Sequence, residues 1–94
     1  MYGGADQDVI YGGADQDLVS GDAGNDLLYG GDGNDTVSGG GDSDSVYGDA
    51  GNDSLTGDAG NDAIYGGDGD DHVSGGTESD TISGDAGDDR VAGD

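Results

Sequence analysis

The sequence predicts an all-β protein, a parallel β-solenoid in which each coil takes eighteen residues and two short-stranded parallel sheets face each other over about five coils. Three observations predict this fold. A nine-residue repeat runs without insertion or deletion from Gly3 to Ala92, its eighth place always holds an aliphatic residue, and its ninth place alternates between tyrosine and a hydroxyl residue. A fixed short period is typical of solenoids.

The repeat has ten full copies, residues 3–92, with partial copies at residues 1–2 and 93–94. Three successive copies read GDAGNDLLY, GGDGNDTVS and GGGDSDSVY over residues 21–47, and place one is glycine in every copy. No linker or shift of composition divides the copies, so we expect a single domain over residues 1–94.

Places seven to nine of each copy predict a short strand. Place eight is always Ile, Val or Leu and its neighbours are mixed, so the middle side chain points inward and the flanking ones outward. Places one to six are nearly all Gly, Asp, Asn and Ala, which favours a turn. No window has helical periodicity. The expected core residues are Ile10, Val19, Leu28, Val37, Val46, Leu55, Ile64, Val73, Ile82 and Val91.

Place nine indicates that two copies make one coil. Tyrosines recur every eighteen residues, with hydroxyl residues midway between them, so each set falls on its own sheet. The alternation fails at the ends of the chain, where Tyr2 and Ser83 break it. We interpret the tyrosine ladder as sheet packing rather than as a binding surface. The tyrosines are Tyr11, Tyr29, Tyr47 and Tyr65, and the hydroxyl residues are Ser20, Ser38, Thr56 and Ser74.

The composition conflicts with folding in water alone. The 94 residues carry 23 acidic side chains against one Arg, a net charge of −22, and only 29% are hydrophobic. Such a composition is typical of disorder, whereas the strict repeat indicates a fold. Ten aliphatic residues bury too little to offset the ordering of this glycine-rich chain, so we expect a cation whose binding contributes to folding.

Several classes of protein are excluded or disfavoured by composition. There is no Cys, hence no disulfide or thiolate metal site. Apolar runs do not exceed three residues, so we expect no membrane span and no secretory signal. The acidic surface excludes nucleic-acid binding. No nucleophile–base pairing recurs outside the repeat, so we expect no enzymatic activity.

Place six supplies the candidate metal ligands, since it is aspartate in every copy. In an eighteen-residue coil these carboxylates stack about 4.8 Å apart and repel one another unless a cation lies between them. Carboxylates together with exposed backbone carbonyls are typical Ca²⁺ ligands, whereas Mg²⁺ requires tighter geometry and Zn²⁺ prefers His or Cys. Because aspartate recurs at place six without exception, we disfavour the alternative that these aspartates are merely solvated turn residues. The aspartates are Asp8, Asp17, Asp26, Asp35, Asp44, Asp53, Asp62, Asp71, Asp80 and Asp89.

The copies at residues 30–38 and 66–74, GGDGNDTVS and GGDGDDHVS, match the nonapeptide G-G-x-G-x-D-x-U-x at every fixed place. The chain thus resembles the repeats-in-toxin (RTX) family over nearly its whole length. The resemblance implies a right-handed parallel β-roll that holds Ca²⁺ between turns two copies apart. Ten copies imply eight sites, from the Asp8–Asp26 pair to the Asp71–Asp89 pair. Eight Ca²⁺ would reduce the net charge of −22 to about −6.

The resemblance also implies backbone carbonyl ligands in the glycine-rich turns. These carbonyls belong to Gly21, Ala23, Gly24, Gly30, Gly31, Asp32, Gly33, Gly39, Gly48, Ala50, Gly51, Gly57, Ala59, Gly60, Gly66, Gly67, Asp68 and Gly69.

Some copies depart from the family pattern. Place four holds an acid instead of glycine at Asp6, Asp15, Asp42 and Glu78. Aspartate tolerates a left-handed backbone better than glutamate does, so we expect residues 75–83 to form the weakest turn. Place two holds aspartate at Asp22, Asp49, Asp58 and Asp85, which we expect to lie in solvent.

The resemblance implies a Ca²⁺-dependent structural or folding-switch module of a secreted or cell-surface protein, because repeat blocks of that family are exported by type I secretion and fold outside the cell. One alternative is a filament or surface-layer subunit that stacks head to tail as a homo-oligomer. A second is an engineered or excised calcium-responsive module, and the weakest is a catalytic fragment.

Overall fold

The computed structural model describes residues 1–93 and contains eleven strands. They are β1 (Tyr2–Gly4), β2 (Val9–Gly13), β3 (Leu18–Ala23), β4 (Leu27–Asp32), β5 (Thr36–Gly41), β6 (Ser45–Ala50), β7 (Ser54–Ala59), β8 (Ala63–Asp68), β9 (His72–Ser74), β10 (Thr81–Ser83) and β11 (Arg90–Ala92). These residues form no helix that could span a membrane.

The strands form two parallel sheets. The odd sheet has six strands in the order β1-β3-β5-β7-β9-β11, and the even sheet has five in the order β10-β8-β6-β4-β2. Each strand pairs in register with the strand eighteen residues away, as Val37 pairs with Leu55 and Tyr29 with Tyr47. The predicted all-β solenoid with eighteen-residue coils, two parallel sheets and about five coils is therefore confirmed.

The core lies between the two sheets and consists of place-eight side chains. Those at most 2% exposed are Val19, Leu28, Val37, Val46, Leu55, Ile64 and Val73. Ile10 and Ile82 are partly buried against this row. Val91 differs from the prediction, since it is 51% exposed. The reason is that the even sheet ends at β10, so no strand among residues 1–93 lies opposite β11.

The strands are longer than the sequence predicts in the middle of the solenoid. From β3 to β8 each strand has six residues and extends through place three of the next copy. Places two and three pair there with the neighbouring coil, as Asp22 pairs with Gly40 and Ala23 with Gly41. The turn is therefore confined to places four to six. Strands β9 to β11 have only three residues each, so pairing is shorter in the part that contains residues 75–83.

The tyrosine ladder lies on the outer face of the even sheet. Its ring centroids are 4.8, 5.0 and 5.1 Å apart, and consecutive ring planes lie within 14° of parallel. Exceptions to the alternation lie at both ends of the solenoid: Tyr2 pairs with Ser20 at one end, and at the other Ser83 pairs with Tyr65 and Ala92 with Ser74. Apart from these end residues, the structure places the ladder tyrosines on the even sheet and the place-nine hydroxyl residues on the odd sheet.

Candidate metal centre

The place-six aspartates are linked to one another through the backbone. The N–H of each of the first eight aspartates donates to Oδ1 of the aspartate eighteen residues later, as Asp26 N–H does to Asp44 Oδ1 at 2.8 Å. Eight such bonds measure 2.7–2.9 Å. The eight pairs are Asp8–Asp26, Asp17–Asp35, Asp26–Asp44, Asp35–Asp53, Asp44–Asp62, Asp53–Asp71, Asp62–Asp80 and Asp71–Asp89. The structure therefore brings together every aspartate pair that the sequence predicts.

The other carboxylate oxygen of these aspartates, Oδ2, is buried and unpaired. Within residues 1–93 this atom has no hydrogen-bond partner in nine of them: Asp8, Asp17, Asp26, Asp35, Asp44, Asp53, Asp62, Asp71 and Asp80. Six of the nine, from Asp26 to Asp71, are only 2–3% exposed. A buried carboxylate oxygen without a partner is costly and is normally satisfied in a native protein. This row of oxygens therefore fits a cation.

The glycines at place one leave open the space that these oxygens face. A Cβ added to Gly39 would lie 2.6 Å from Asp44 Oδ2 and 2.9 Å from the carbonyl oxygen of Gly57. The same arrangement recurs at Gly21, with 2.5 Å to Asp26 Oδ2 and 2.6 Å to the Gly39 carbonyl oxygen. These glycines do not have positive φ. Space for two converging oxygens therefore explains why place one is glycine.

The expected carbonyl ligands fall into groups with different surroundings. Place-one carbonyls lie beside the unpaired Oδ2 atoms, as described above. Place-three carbonyls already accept backbone hydrogen bonds, since Ala50 accepts from Gly33 N–H and Asp68 accepts from Gly51 N–H, both at 2.9 Å. Place-four carbonyls lie against the next coil, because a Cβ added to Gly51 would lie 2.0 Å from the Gly33 carbonyl oxygen. The place-one carbonyls are therefore the best-placed partners for a cation at Oδ2.

The converging atoms form an oxygen-only donor set. Residues 1–93 contain no group of three or more His, Cys, Asp or Glu side chains that could hold a metal ion, so a cation here would need backbone ligands as well. The atoms that converge are a carboxylate oxygen and backbone carbonyl oxygens. Hard cations such as Ca²⁺ take ligands of this kind in flexible geometry.

The metal-free fold disfavours the ionised form of the buried aspartates. Burial raises the pKa of Asp44 to about 7 and that of Asp53 to about 6, although the backbone N–H bond lowers each pKa and neighbouring carboxylates raise it. Burial likewise raises the pKa of Asp26, Asp35, Asp62 and Asp71. A divalent cation beside these groups would favour the charged form and so oppose the effect of burial.

The acids that replace glycine at places two and four adopt left-handed backbone conformations. Glu78 has φ of 76°, the same as Asp42, so the structure accommodates the glutamate in the turn. Asp42 also accepts a hydrogen bond from Gly24 N–H at 3.1 Å. Place-two aspartates are exposed as expected, and some bind hydroxyl groups: Ser20 donates to Asp22 and Ser83 donates to Asp85, each at 2.8 Å.

Sequence reasoning missed a second ladder at place five. Asn25 Oδ1 accepts from Ser43 N–H at 2.9 Å, and Asn34 Oδ1 accepts from Asn52 N–H at 2.8 Å. This ladder runs opposite to the aspartate ladder, because here the acceptor precedes the donor in the chain. The available signal is asparagine directly before the place-six aspartate in four copies, since asparagine readily bonds nearby backbone groups in turns.

Comparison with known proteins gives one match. The family model for the RTX calcium-binding nonapeptide repeat, which spans four copies, matches residues 1–28, 16–46, 29–64, 38–73 and 65–94. No curated protein and no solved structure matches the chain. Together these matches cover residues 1–94 and therefore include all ten place-six aspartates. The chain belongs to the family of RTX calcium-binding nonapeptide repeats.

Proposed function

We propose that this chain is a Ca²⁺-dependent folding module of a secreted or cell-surface protein, with one Ca²⁺ ion at each of the eight aspartate pairs. The observation that carries the proposal is the row of nine buried Oδ2 atoms without a hydrogen-bond partner among residues 1–93. The ligands would be these oxygens together with place-one carbonyls. Bound Ca²⁺ would supply positive charge that neutralises the ladder.

Charge makes folding depend on the ion. Net charge is −22 without metal, and eight Ca²⁺ would leave about −6. Because the sites exist only when neighbouring coils stack, the binding free energy is also folding free energy. Extracellular Ca²⁺ modules have dissociation constants of roughly 10⁻⁴–10⁻³ M, which supports a chain that stays unfolded in the low-Ca²⁺ cytosol and folds outside the cell.

Adjacent sites share ligands, so folding should be cooperative. Asp44 illustrates this, because its N–H donates to Asp62 and its Oδ1 accepts from Asp26. An ion that orders one pair therefore positions half of the next pair in each direction.

Circular dichroism during a Ca²⁺ titration tests the proposal. We expect a disordered spectrum in EGTA and a sigmoidal change to a β-rich spectrum at submillimolar to millimolar Ca²⁺. Equal concentrations of Mg²⁺ serve as the control and should induce less structure. A β-rich spectrum that persists at neutral pH in excess EGTA would contradict the proposal.

A second candidate is head-to-tail assembly of the 94-residue polypeptide into filaments. Within residues 1–93, no N–H donates to Asp8 Oδ1 or Asp17 Oδ1, and neither Asp80 N–H nor Asp89 N–H donates to a carboxylate. One end of the described solenoid thus offers ladder acceptors and the other offers ladder donors, and a contact of this kind need not close. Light scattering and electron microscopy in millimolar Ca²⁺ test this candidate. Folded rods that stay monomeric would exclude it, whereas fibres that dissolve in EGTA support it.

A further inference from the structure

The acidic side chains are segregated from the sheet faces. All 23 acids occupy places two to six of the repeat, and none occupies the outward places seven and nine. The outer face of the even sheet is therefore uncharged at these places. Its outward residues are Val9, Tyr11, Leu27, Tyr29, Ser45, Tyr47, Ala63, Tyr65, Thr81 and Ser83.

The tyrosine ladder gives this neutral face a continuous aromatic wall. Three centroid spacings of 4.8, 5.0 and 5.1 Å make the wall about 15 Å long. Aromatic carbons pack about 3.5–4.0 Å apart, so near-parallel rings with these longer spacings must be offset. Each offset ring leaves part of its face uncovered along the side of the ladder. Tyr11, at one end, is 65% exposed.

A nearly flat strip runs beside the ladder, at place two. Strand alternation puts this row on the same outer face as the tyrosines. Gly31 pairs with Asp49, and Asp49 pairs with Gly67, so the row contains glycine on both sides of one aspartate. Gly13 extends the row at its far end by pairing with Gly31. Asp49 therefore provides the only side chain of the strip from Gly13 to Gly67.

Asp49 differs from the other place-two aspartates. Asp22, Asp58 and Asp85 each accept a hydrogen bond from a serine or threonine two residues earlier. The residue two before Asp49 is Tyr47, and the exposed Asp49 carboxylate accepts no hydrogen bond from residues 1–93. The negative charge beside the aromatic wall is therefore left to solvent.

The carboxylate is close enough to the ladder to affect it. Burial raises the pKa of Tyr29 most, and Tyr11, Tyr47 and the negative charge of Asp49 raise this pKa further. An aromatic wall, a flat strip and one uncompensated carboxylate thus lie side by side.

We propose that the strip between the tyrosine ladder and the place-two row binds a planar aromatic cation. The ligand lies along the solenoid axis, with its rings against the exposed faces of Tyr29 and Tyr47 and its positive charge beside Asp49. Aromatic stacking and cation–π attraction favour this arrangement, and the net charge, −22 without metal and about −6 with eight Ca²⁺, stays negative and attracts a cation. A neutral planar compound would gain the aromatic stacking but neither the cation–π attraction nor the attraction by the negative net charge.

Thioflavin T, a planar benzothiazolium cation, is the probe. The experiment records its fluorescence and its binding isotherm with the full chain in saturating Ca²⁺, so that the aspartate pairs are not available to the dye. We expect saturable binding to the unaltered chain. The double variant Tyr29→Ser/Tyr47→Ser should bind at least about tenfold more weakly, because it removes the centre of the wall. Serine already occupies place nine of this sheet at Ser83.

Two matched aspartate variants test the charge. Asp49→Asn should weaken thioflavin T binding about threefold, the effect expected of one exposed ion pair. Asp58→Asn removes the same charge at the same place of the opposite sheet and should leave binding unchanged. Absence of saturable binding to the unaltered chain, or equal binding to the double tyrosine variant, would overturn the proposal. Circular dichroism of the same samples reports folding separately, so a failure of Ca²⁺-dependent folding is distinguishable from a failure of dye binding.

Discussion

The backbone N–H of Asp26 donates a 2.8 Å hydrogen bond to Oδ1 of Asp44, eighteen residues further along the chain. This bond occupies one carboxylate oxygen and leaves Asp44 Oδ2 buried without a partner among the described residues. One side chain therefore joins two coils and also keeps one oxygen free, and in our proposal this oxygen binds the cation. Under that proposal, structural support and metal binding depend on the same side chain.

We first predict that an internal aspartate matters more than a terminal one. Asp44→Ala should raise the Ca²⁺ midpoint of folding more than Asp89→Ala does, because Asp44 belongs to two pairs and Asp89 to one. Loss of a buried charged hydrogen-bond partner costs about 1–3 kcal/mol of stability. Circular dichroism titrations of both variants give the midpoints. Equal midpoints would show that the ladder is not shared between sites.

The second prediction concerns pH in the absence of metal. The pKa of Asp44 is about 7 and that of Asp53 about 6 in the folded chain, against an ordinary value of 3.8. The folded state thus binds more protons than the unfolded one across this interval. The contribution of these two groups to the stability of the folded state is fully present below about pH 4 and is lost as the pH rises through 6 to 7. In EGTA, β structure should therefore increase as the pH is lowered from 7 to 4.

Circular dichroism against pH in EGTA measures this effect. Asp44→Asn removes a group that must otherwise be protonated and should shift the transition to higher pH. The exposed-site variant Asp58→Asn is the control and should shift it less. A spectrum that stays disordered throughout acidification would refute the prediction.

A third prediction separates space from backbone conformation. Gly39→Ala should destabilise the Ca²⁺-bound fold by about 1–3 kcal/mol, the usual cost of overpacking, because the new methyl would lie 2.6 Å from Asp44 Oδ2 and 2.9 Å from the Gly57 carbonyl oxygen. Gly41→Ala is the matched control, since its methyl would meet only the Asp22 carbonyl oxygen, at 3.8 Å. Neither glycine has positive φ. Similar thermal stability of the two variants in Ca²⁺ would contradict the close approach at place one.

The fourth prediction addresses the turn at residues 75–83. Glu78→Gly should lower the Ca²⁺ midpoint, because Glu78 has φ of 76° and a left-handed backbone costs a non-glycine residue about 1–2 kcal/mol. Asp42→Gly is the comparison. Asp42 also has φ of 76°, but it tolerates this conformation better and its carboxylate accepts from Gly24 N–H. We therefore expect a smaller gain, or a loss, for Asp42→Gly; an equal gain would indicate that side-chain identity at place four is unimportant.

The sequence by itself determined the architecture and the residues that stack. A strict nine-residue period with an aliphatic residue at place eight predicts the solenoid, and the tyrosine alternation predicts the eighteen-residue coil. Once the coil length is known, every residue lies beside the one eighteen positions away, as Tyr29 lies beside Tyr47 and Asp26 beside Asp44. In a regular solenoid, the spacing of two residues in the sequence determines whether they are neighbours in space. The aspartate pairs and the tyrosine ladder could therefore be predicted from the sequence alone.

Only the tertiary structure decided how neighbouring atoms are used. It shows that Asp44 Oδ1 is occupied by a backbone N–H while Oδ2 is not, and that glycine at place one leaves room for two oxygens. It also shows the asparagine ladder at place five and the exposure of Val91. These features depend on small differences in the distance between neighbouring coils and on the orientation of side chains. The exposure of Val91 depends on whether a strand of the other sheet lies opposite it. Residue spacing determines which residues meet, whereas the packing of one coil on the next determines which of their atoms remain free.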